Sequence, residues 1–286
     1  MSEPLVEKAR AKINLTLRVL GRRADGYHDL ESLVAFADLA DTLSLQPDKT
    51  TVLDIAGPFA GPSGPTADNL VLKAVAALGQ RVSGLKAGRF HLEKNLPVAA
   101  GIGGGSADAA AALRLLARVN GLSLDDARLT QAALAVGADV PVCVASRPCI
   151  MRGVGEQLSS PLEMPALPAV LINPGVALST REVFAKFTIA RASKANLPDV
   201  PRSEDALIEF LTQHGNDLTQ AAIACVPVIA EVLDALGAVP GVRLARLSGS
   251  GATCFALFAT AGEAAAAAWL IQAAHEEWWV RPAAIG

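Results

Sequence analysis

Between residues 96 and 108 the chain reads Leu96-Pro97-Val98-Ala99-Ala100-Gly101-Ile102-Gly103-Gly104-Gly105-Ser106-Ala107-Asp108, so glycine fills four of the five positions from Gly101 to Gly105. The stretch Ser106 to Asn120 then has helical spacing and stops at Gly121, a residue suited to the left-handed turn that closes a helix. Glycine permits positive φ and close backbone approach. A helix start offers free N–H groups and the positive end of its dipole. Together these suit a polyphosphate, with Ser106 donating to a phosphate or capping the helix. The same residues also make a flexible strand-to-helix connection. Two familiar phosphate loops are excluded: there is no G-x-x-x-x-G-K-[ST], and a G-x-G-x-x-G counted from Gly101 fails at Ser106.

Elsewhere strands and helices interleave. Ile13, Leu15, Leu17 and Val19 alternate with Lys12, Asn14, Thr16 and Arg18, which predicts one half-buried strand with Lys12 and Asn14 on its polar face. Further strands are expected near Leu30–Phe36, Thr42–Leu45, Val52–Ile55, Phe90–Glu93, Ala169–Ile172, Val242–Leu247 and Thr253–Phe258. Asp68 is the expected N-cap of a helix to Leu78. Ser123 and Asp126 form a capping pattern for a helix ending at Gly137, and Pro141 is expected to block its continuation. Helices are also expected near Thr180–Phe187, Ser203–His214, Asp217–Cys225, Val228–Leu236 and Gly262–Glu276. The order argues for α+β or α/β in two lobes, with a boundary at the proline-rich stretch Ser160–Pro168.

Hydrophobic residues make up 51% of the 286 and charged residues 19%, which excludes a mainly disordered chain. The net charge of −3 lacks the basic excess of a general nucleic-acid binder. No apolar run is long enough to span a bilayer, and Glu3, Glu7, Lys8 and Arg10 leave no signal-peptide core. The expected location is cytoplasmic, with no membrane or nucleic-acid partner. Cys143, Cys149, Cys225 and Cys254 show neither C-x-x-C pairing nor zinc spacing and read as buried reduced thiols.

Phosphoryl transfer to an alcohol needs a group to take the hydroxyl proton and positive charge where negative charge develops. Asp139, in Gly137-Ala138-Asp139-Val140-Pro141, is a carboxylate in apolar company. It is either such a group or a cap or structural ion pair. Lys12, taken alone, is an ordinary lysine on a sheet face. Tyr27, the only tyrosine, and His28 follow Asp25-Gly26; they could stack on and hydrogen-bond a base, or simply pack a turn. Ser248-Gly249-Ser250-Gly251-Ala252 is a turn, or a second backbone segment approaching a ligand.

These segments carry a resemblance. Ala11-Lys12-Ile13-Asn14-Leu15 with Gly21, Arg23, Asp25-Gly26-Tyr27-His28 and Leu30 resembles the N-terminal signature of the 4-diphosphocytidyl-2-C-methyl-D-erythritol kinase family. Pro97 to Asp108 resembles the ATP loop of the wider GHMP kinase superfamily. Gly137–Pro141 resembles the segment of its catalytic aspartate, and Leu247–Ala252 its third glycine motif. The order matches along the whole chain.

The resemblance implies a two-lobed α+β GHMP kinase fold. Residues 1–160 would form a ribosomal protein S5 domain 2-like lobe holding ATP and the catalytic residues. Residues 161–286 would form a ferredoxin-like lobe contributing to the substrate site. It implies ATP-dependent phosphorylation, with Mg²⁺, of the 2-hydroxyl of a small molecule carrying a cytidine diphosphate group, in the non-mevalonate isoprenoid pathway. By this resemblance Asp139 is the catalytic base and Lys12 polarises the hydroxyl. Asn14 contacts substrate, Tyr27 and His28 meet cytosine, and Phe184 is a second stacking aromatic. Pro97, Val98, Ala99, Ala100, Gly101, Ile102, Gly103, Gly104, Gly105, Ser106 and Ala107 hold the ATP phosphates, with Asn69 and Lys94 near the nucleotide. The family commonly has Ser-Ser-Asp where this chain has Ser106-Ala107-Asp108. A monomer or weak homodimer is expected.

Three other readings stand beside this one. A GHMP kinase for mevalonate, homoserine or a sugar would have no cytosine for Tyr27 and His28. A non-catalytic nucleotide-binding protein would have little reason to keep both Lys12 and Asp139. A nicotinamide-dependent dehydrogenase lacks its fingerprint and the βαβ unit before it.

Overall fold

The computed structural model describes residues 3–61, 66–188 and 196–286. The chain forms two compact units that interleave in sequence. The first takes Met1–Ala11, Leu39–Val98 and Gly103–Ser146; the second takes Lys12–Asp38, Ala99–Ile102 and Arg147–Gly286. Strands β1 (Leu5–Asn14) and β3 (His28–Asp48) each contribute residues to both.

In the first unit, Thr42–Asp48 of β3 runs antiparallel to β5 (Ala87–Glu93), and β4 (Val52–Ala56) pairs parallel with β5. Along β5, Phe90 and Leu92 are buried while Arg89 and His91 are exposed, the period of two that a one-sided sheet requires. Helices α1 (Leu70–Gly79), α2 (Gly104–Asn120), α3 (Ala127–Val136) and α4 (Val140–Ala145) pack against one another. The alanines Ala107, Ala109–Ala112 and Ala117 of α2 are all buried. Small side chains thus carry the close helix packing. Arg114 donates to Glu7 at 2.9 Å and to the carbonyls of Lys8 and Cys143 at 2.8 Å, joining α2 to β1 and α4.

In the second unit, β2 (Arg18–Arg22) and β6 (Cys149–Gly153) pair antiparallel with the first half of β3, and β7 (Gln157–Leu158) with β6. Strands β8 (Leu167–Asn173), β9 (Leu244–Leu247), β10 (Cys254–Leu257) and β11 (Trp279–Ile285) lie in the order β11-β8-β10-β9, every neighbour antiparallel. Helices α5 (Thr180–Lys186), α6 (Glu204–Gln213), α7 (Thr219–Cys225) and α8 (Val228–Ala238) intervene between β8 and β9, and α9 (Ala261–Ala274) between β10 and β11. A 4-1-3-2 antiparallel order with two helical crossovers is the ferredoxin-like arrangement. Val170, Ile172, Ala256 and Phe258 of the sheet side meet Ile229, Val232 and Ile271 of the helices in one apolar core, to which Leu17 and Val19 also belong.

Several expectations need correction. The strand expected through Ile13–Val19 is broken: β1 ends at Asn14 and β2 starts at Arg18. It is not half-buried, because Lys12, Asn14 and Thr16 are at most 4% exposed. Polar partners replace water there: Thr16 Oγ1 accepts the Leu33 N–H at 2.9 Å, and the Ser32 hydroxyl donates to the Thr16 carbonyl. The strands expected at Leu30–Phe36 and Thr42–Leu45 are one continuous β3. The N-cap of α1 is Asn69 rather than Asp68, and that of α3 is Asp126 itself. Pro141 does not stop a helix but lies in the first turn of α4, where its missing N–H costs nothing. Cys225 is only partly buried, unlike the other three thiols. β6, β7 and β11 have no counterpart among the expected strands.

Candidate active site

The first unit supplies a helix start with its support. α2 begins at Gly104, and its N-cap Gly103 has φ +64° with no side-chain cap. Ser106 is therefore inside the first turn rather than capping it. The first-turn N–H groups of a helix lack intrahelical acceptors, so they are available to an anion. Asn69 is committed to its own helix: its side chain accepts the Val71 N–H at 2.9 Å. Lys94 is buried and donates to Asp41 and, at 2.8 Å, to Asp108. Burial alone would lower the Lys94 pKa, but the two carboxylates outweigh it and hold it above the usual value. Burial, reinforced by the like charge of Asp41, pushes the Asp108 carboxyl up to about 7 against the pull of Lys94. Pro97 and Val98 lead from this corner, and Ala107 is buried in α2. Asp139 is the part-buried N-cap residue of α4 and makes no side-chain cap bond.

The second unit gathers Lys12, Asn14, Tyr27, His28, Ala99–Ile102, Phe184 and the 248–252 turn. The Lys12 N–H bonds the Ile102 carbonyl at 2.9 Å. Its ammonium lies near Cys149, whose thiol is pushed up to about 11 by burial with the lysine charge opposing. Asn14 donates from its side chain to Ser32 at 2.7 Å and from its backbone to the Ser248 hydroxyl at 3.2 Å. The Ser248 turn closes on the middle of the glycine loop. The Thr253 N–H bonds the Ala100 carbonyl at 3.1 Å, and a Cβ added to Gly101 would lie 2.4 Å from the Gly251 carbonyl oxygen. The two backbone segments meet where only glycine fits.

The aromatic residues also converge. The His28 ring stacks on Phe184 with centroids 4.8 Å apart and planes 20° from parallel, and Phe187 meets it edge-on at 6.5 Å. Tyr27 is 65% exposed, with its N–H fixed to Asp25 at 3.0 Å. Burial, aided by the charge of Arg22, lowers the His28 pKa, favouring the neutral ring with one donor and one acceptor. Such a ring, backed by an aromatic, suits a flat heterocycle with a mixed polar edge.

The structure thus brings Lys12, Asn14, His28 and Phe184 into one unit and places Asp139, Lys94, Asn69 and the start of α2 in the other. Asp41, Asp108, Ser32 and Asn216 were not singled out from the sequence. Asn216 donates to the Leu247 and Gly249 carbonyls at 2.9 and 2.8 Å and so holds the glycine turn. Asp41 left no clear signal, since between Ala40 and Thr42 and three residues after Asp38 it reads as an ordinary strand carboxylate. Among the described residues no three His, Cys, Asp or Glu side chains gather as a metal site.

Comparison with known proteins agrees with this architecture. Residues 69–147 match the model of the GHMP kinases N terminal domain and residues 196–274 that of the GHMP kinases C terminal domain. A protein of Rhodopseudomonas palustris (strain BisB5), named 4-diphosphocytidyl-2-C-methyl-D-erythritol kinase, is 55% identical over 98% of this chain and 99% of its own. One of Bradyrhizobium sp. (strain BTAi1), with the same name, is 56% identical over 97% and 95%. A crystal structure of 4-(cytidine 5'-diphospho)-2C-methyl-D-erythritol kinase superposes with a TM-score of 0.78 at 32% identity, covering 99% of both chains. With the ferredoxin-like sheet, the glycine-opened helix and relatives matched end to end, this chain belongs to the 4-diphosphocytidyl-2-C-methyl-D-erythritol kinase family of the GHMP kinases.

Proposed function

We propose that the protein transfers the γ-phosphoryl group of ATP to the 2-hydroxyl of 4-diphosphocytidyl-2-C-methyl-D-erythritol, giving the 2-phosphate and ADP, a step of the non-mevalonate route to isoprenoids. The observation that carries the substrate class is the stacked His28–Phe184 pair, with exposed Tyr27 next to His28 in sequence, in a chain whose relatives are named for a cytidyl substrate. Asp139 takes the hydroxyl proton, and the Lys12 ammonium stabilises the developing alkoxide. Asn14, held by Ser32 and Ser248, contacts the substrate. Pro97 to Ala107 cradle the phosphates, chiefly through backbone N–H groups, so Ala107 in place of a second serine leaves the cradle intact. Asn69 and Lys94 border the nucleotide, acting through the α1 cap and the start of α2. Mg²⁺ enters with ATP and neutralises phosphate charge.

The functional division falls near residue 160, with 1–160 carrying ATP and catalysis and 161–286 completing the substrate site. The two family matches lie on either side of it. The protein works in the cytoplasm as a monomer or weak homodimer; no described helix is long and apolar enough to cross a membrane.

The test is ADP release from Mg·ATP with the cytidyl substrate, with mevalonate and homoserine as controls. Turnover with the cytidyl substrate alone is expected, and Asp139→Asn should lower kcat by about 10²–10⁴-fold. Turnover only with a control sinks the cytosine reading, and near-normal turnover in the variant sinks the base.

A further inference from the structure

Asp41 lies in β3 with no solvent exposure. Its Oδ1 accepts the N–H groups of Asn95 at 2.6 Å and Leu96 at 2.8 Å. Its Oδ2 accepts the Lys94 ammonium, which also donates to Asp108 at 2.8 Å. Bonds to an ionised acceptor are shorter and stronger than neutral ones, and three donor atoms around this one side chain are fixed by them. This one carboxylate therefore holds the corner where β5 ends and the position of the ammonium. The ammonium in turn lies against the first residue of α2. A Cβ placed on Gly104 would be 3.6 Å from Lys94 Nζ and 3.9 Å from Asp41 Oδ2. That helix start is the one whose N–H groups are free for phosphate.

We infer that Asp41 is a positioning residue for the nucleotide: by holding Lys94 and the Asn95–Leu96 corner it sets where the first turn of α2 presents its N–H groups, without itself touching ATP. The inference rests on reading that helix start as the ATP phosphate site. Full burial of Asp41 means that it acts only through the groups it holds. A merely structural ion pair would change the melting temperature and the folded fraction. A positioning residue changes nucleotide affinity in the protein that is folded.

The experiment compares wild type with Asp41→Asn and Asp41→Ser. Asparagine must aim a donor at either Lys94 or the two backbone N–H groups, whereas serine is a smaller acceptor without that conflict. Mg·ATP affinity is measured by calorimetry, KM for each substrate by ADP release, and folding by circular dichroism. The Kd and KM for ATP should rise at least about tenfold while KM for the cytidyl substrate stays within about twofold. A lowered melting temperature with unchanged ATP affinity, or an equal rise in both KM values, overturns the inference. Wild-type protein that binds no ATP overturns the reading of the site and the inference with it. A measurement on wild type alone is independent of variant folding: saturating Mg·ATP should slow hydrogen exchange at the Asn95 and Leu96 amides about tenfold. Protection at Gly104–Ser106 without it at Asn95 and Leu96 would overturn the coupling.

Discussion

Asp108 Oδ1 is the buried side-chain oxygen that finds no hydrogen-bond partner among the described residues. Its carboxyl, near 3.8 in an unfolded chain, is pushed up to about 7 by burial beside Asp41. Between those values the folded protein binds more protons than the unfolded one, so this group makes stability fall as pH rises from about 4 to 7 and stay level above. Asp108→Asn removes the dependence. Its melting temperature relative to wild type should be higher at pH 8 than at pH 4.5, by an amount on the order of a few kcal/mol when converted to stability. An equal offset at both pH values would mean that Asp108 stays ionised in the fold. At the same scale, Phe184→Ala strips the face on which His28 stacks. Stacking a base on an aromatic contributes about 1–3 kcal/mol, so KM for the cytidyl substrate should rise roughly tenfold with KM for ATP unchanged. A rise in both would argue against a cytosine platform. Residues with recognisable neighbours in sequence, such as Tyr27 and His28 after Asp25-Gly26, could be singled out as candidates before the structure. Asp41 and Asp108 were not, because their meaning is a contact with Lys94 across 53 and 14 positions.

At the scale of elements, the helix opened by Gly103–Gly105 and closed by Gly121 was readable because both ends are written locally: Gly121 has φ +62° and its N–H bonds the Ala117 carbonyl. The strands β6 and β11 were not, since a strand with Cys149 or with Trp279 and Pro282 becomes one only through its partners. The broken β1–β2 segment failed for the same reason. Alternation was present, but both faces found partners. Gly101 shows what tertiary contact adds to local conformation. Like Gly121 it has positive φ, +74°, yet a Cβ there strikes the Gly251 carbonyl at 2.4 Å, whereas at Gly121 it meets nothing within 4 Å. Gly121→Ala should therefore cost about 1 kcal/mol of stability, the backbone strain alone. Gly101→Ala should cost clearly more and reduce turnover at least about a hundredfold, because the loop must move off the Ser248 turn. Thermal melts and kcat for the pair separate strain from clash; equal losses would mean that the two loops do not meet as described.

At the scale of the molecule, the compact units do not follow the chain order of the two family matches. The second unit joins Lys12–Asp38 from the start of the chain with Arg147–Gly286 from its end. The joints are specific: Ile285 pairs with Ala37, Gly286 N–H bonds the Phe36 carbonyl at 3.0 Å, and the Val19 N–H bonds Asp217 at 2.8 Å. Buried Arg246 donates to the Leu15 carbonyl at 2.8 Å. Buried Glu31 accepts Arg18, Arg152 and the Leu197 N–H. A fragment of residues 1–160 keeps Lys12, Asn14, Tyr27 and His28 but loses β8 to β11, so the Leu15 carbonyl and the Val19 N–H lose Arg246 and Asp217, while Glu31 keeps Arg18 and Arg152 but loses the Leu197 N–H. It should show no cooperative thermal transition, although it contains the proposed ATP loop and the proposed catalytic residues. Co-expression with residues 161–286 should restore both the transition and ATP turnover, because the missing partners return without a covalent link. A sharp melt from 1–160 alone would show that the N-terminal half folds without those joints. The substrate-side residues would then be positioned before the C-terminal half arrives, and Phe184 would be an addition to a site already formed.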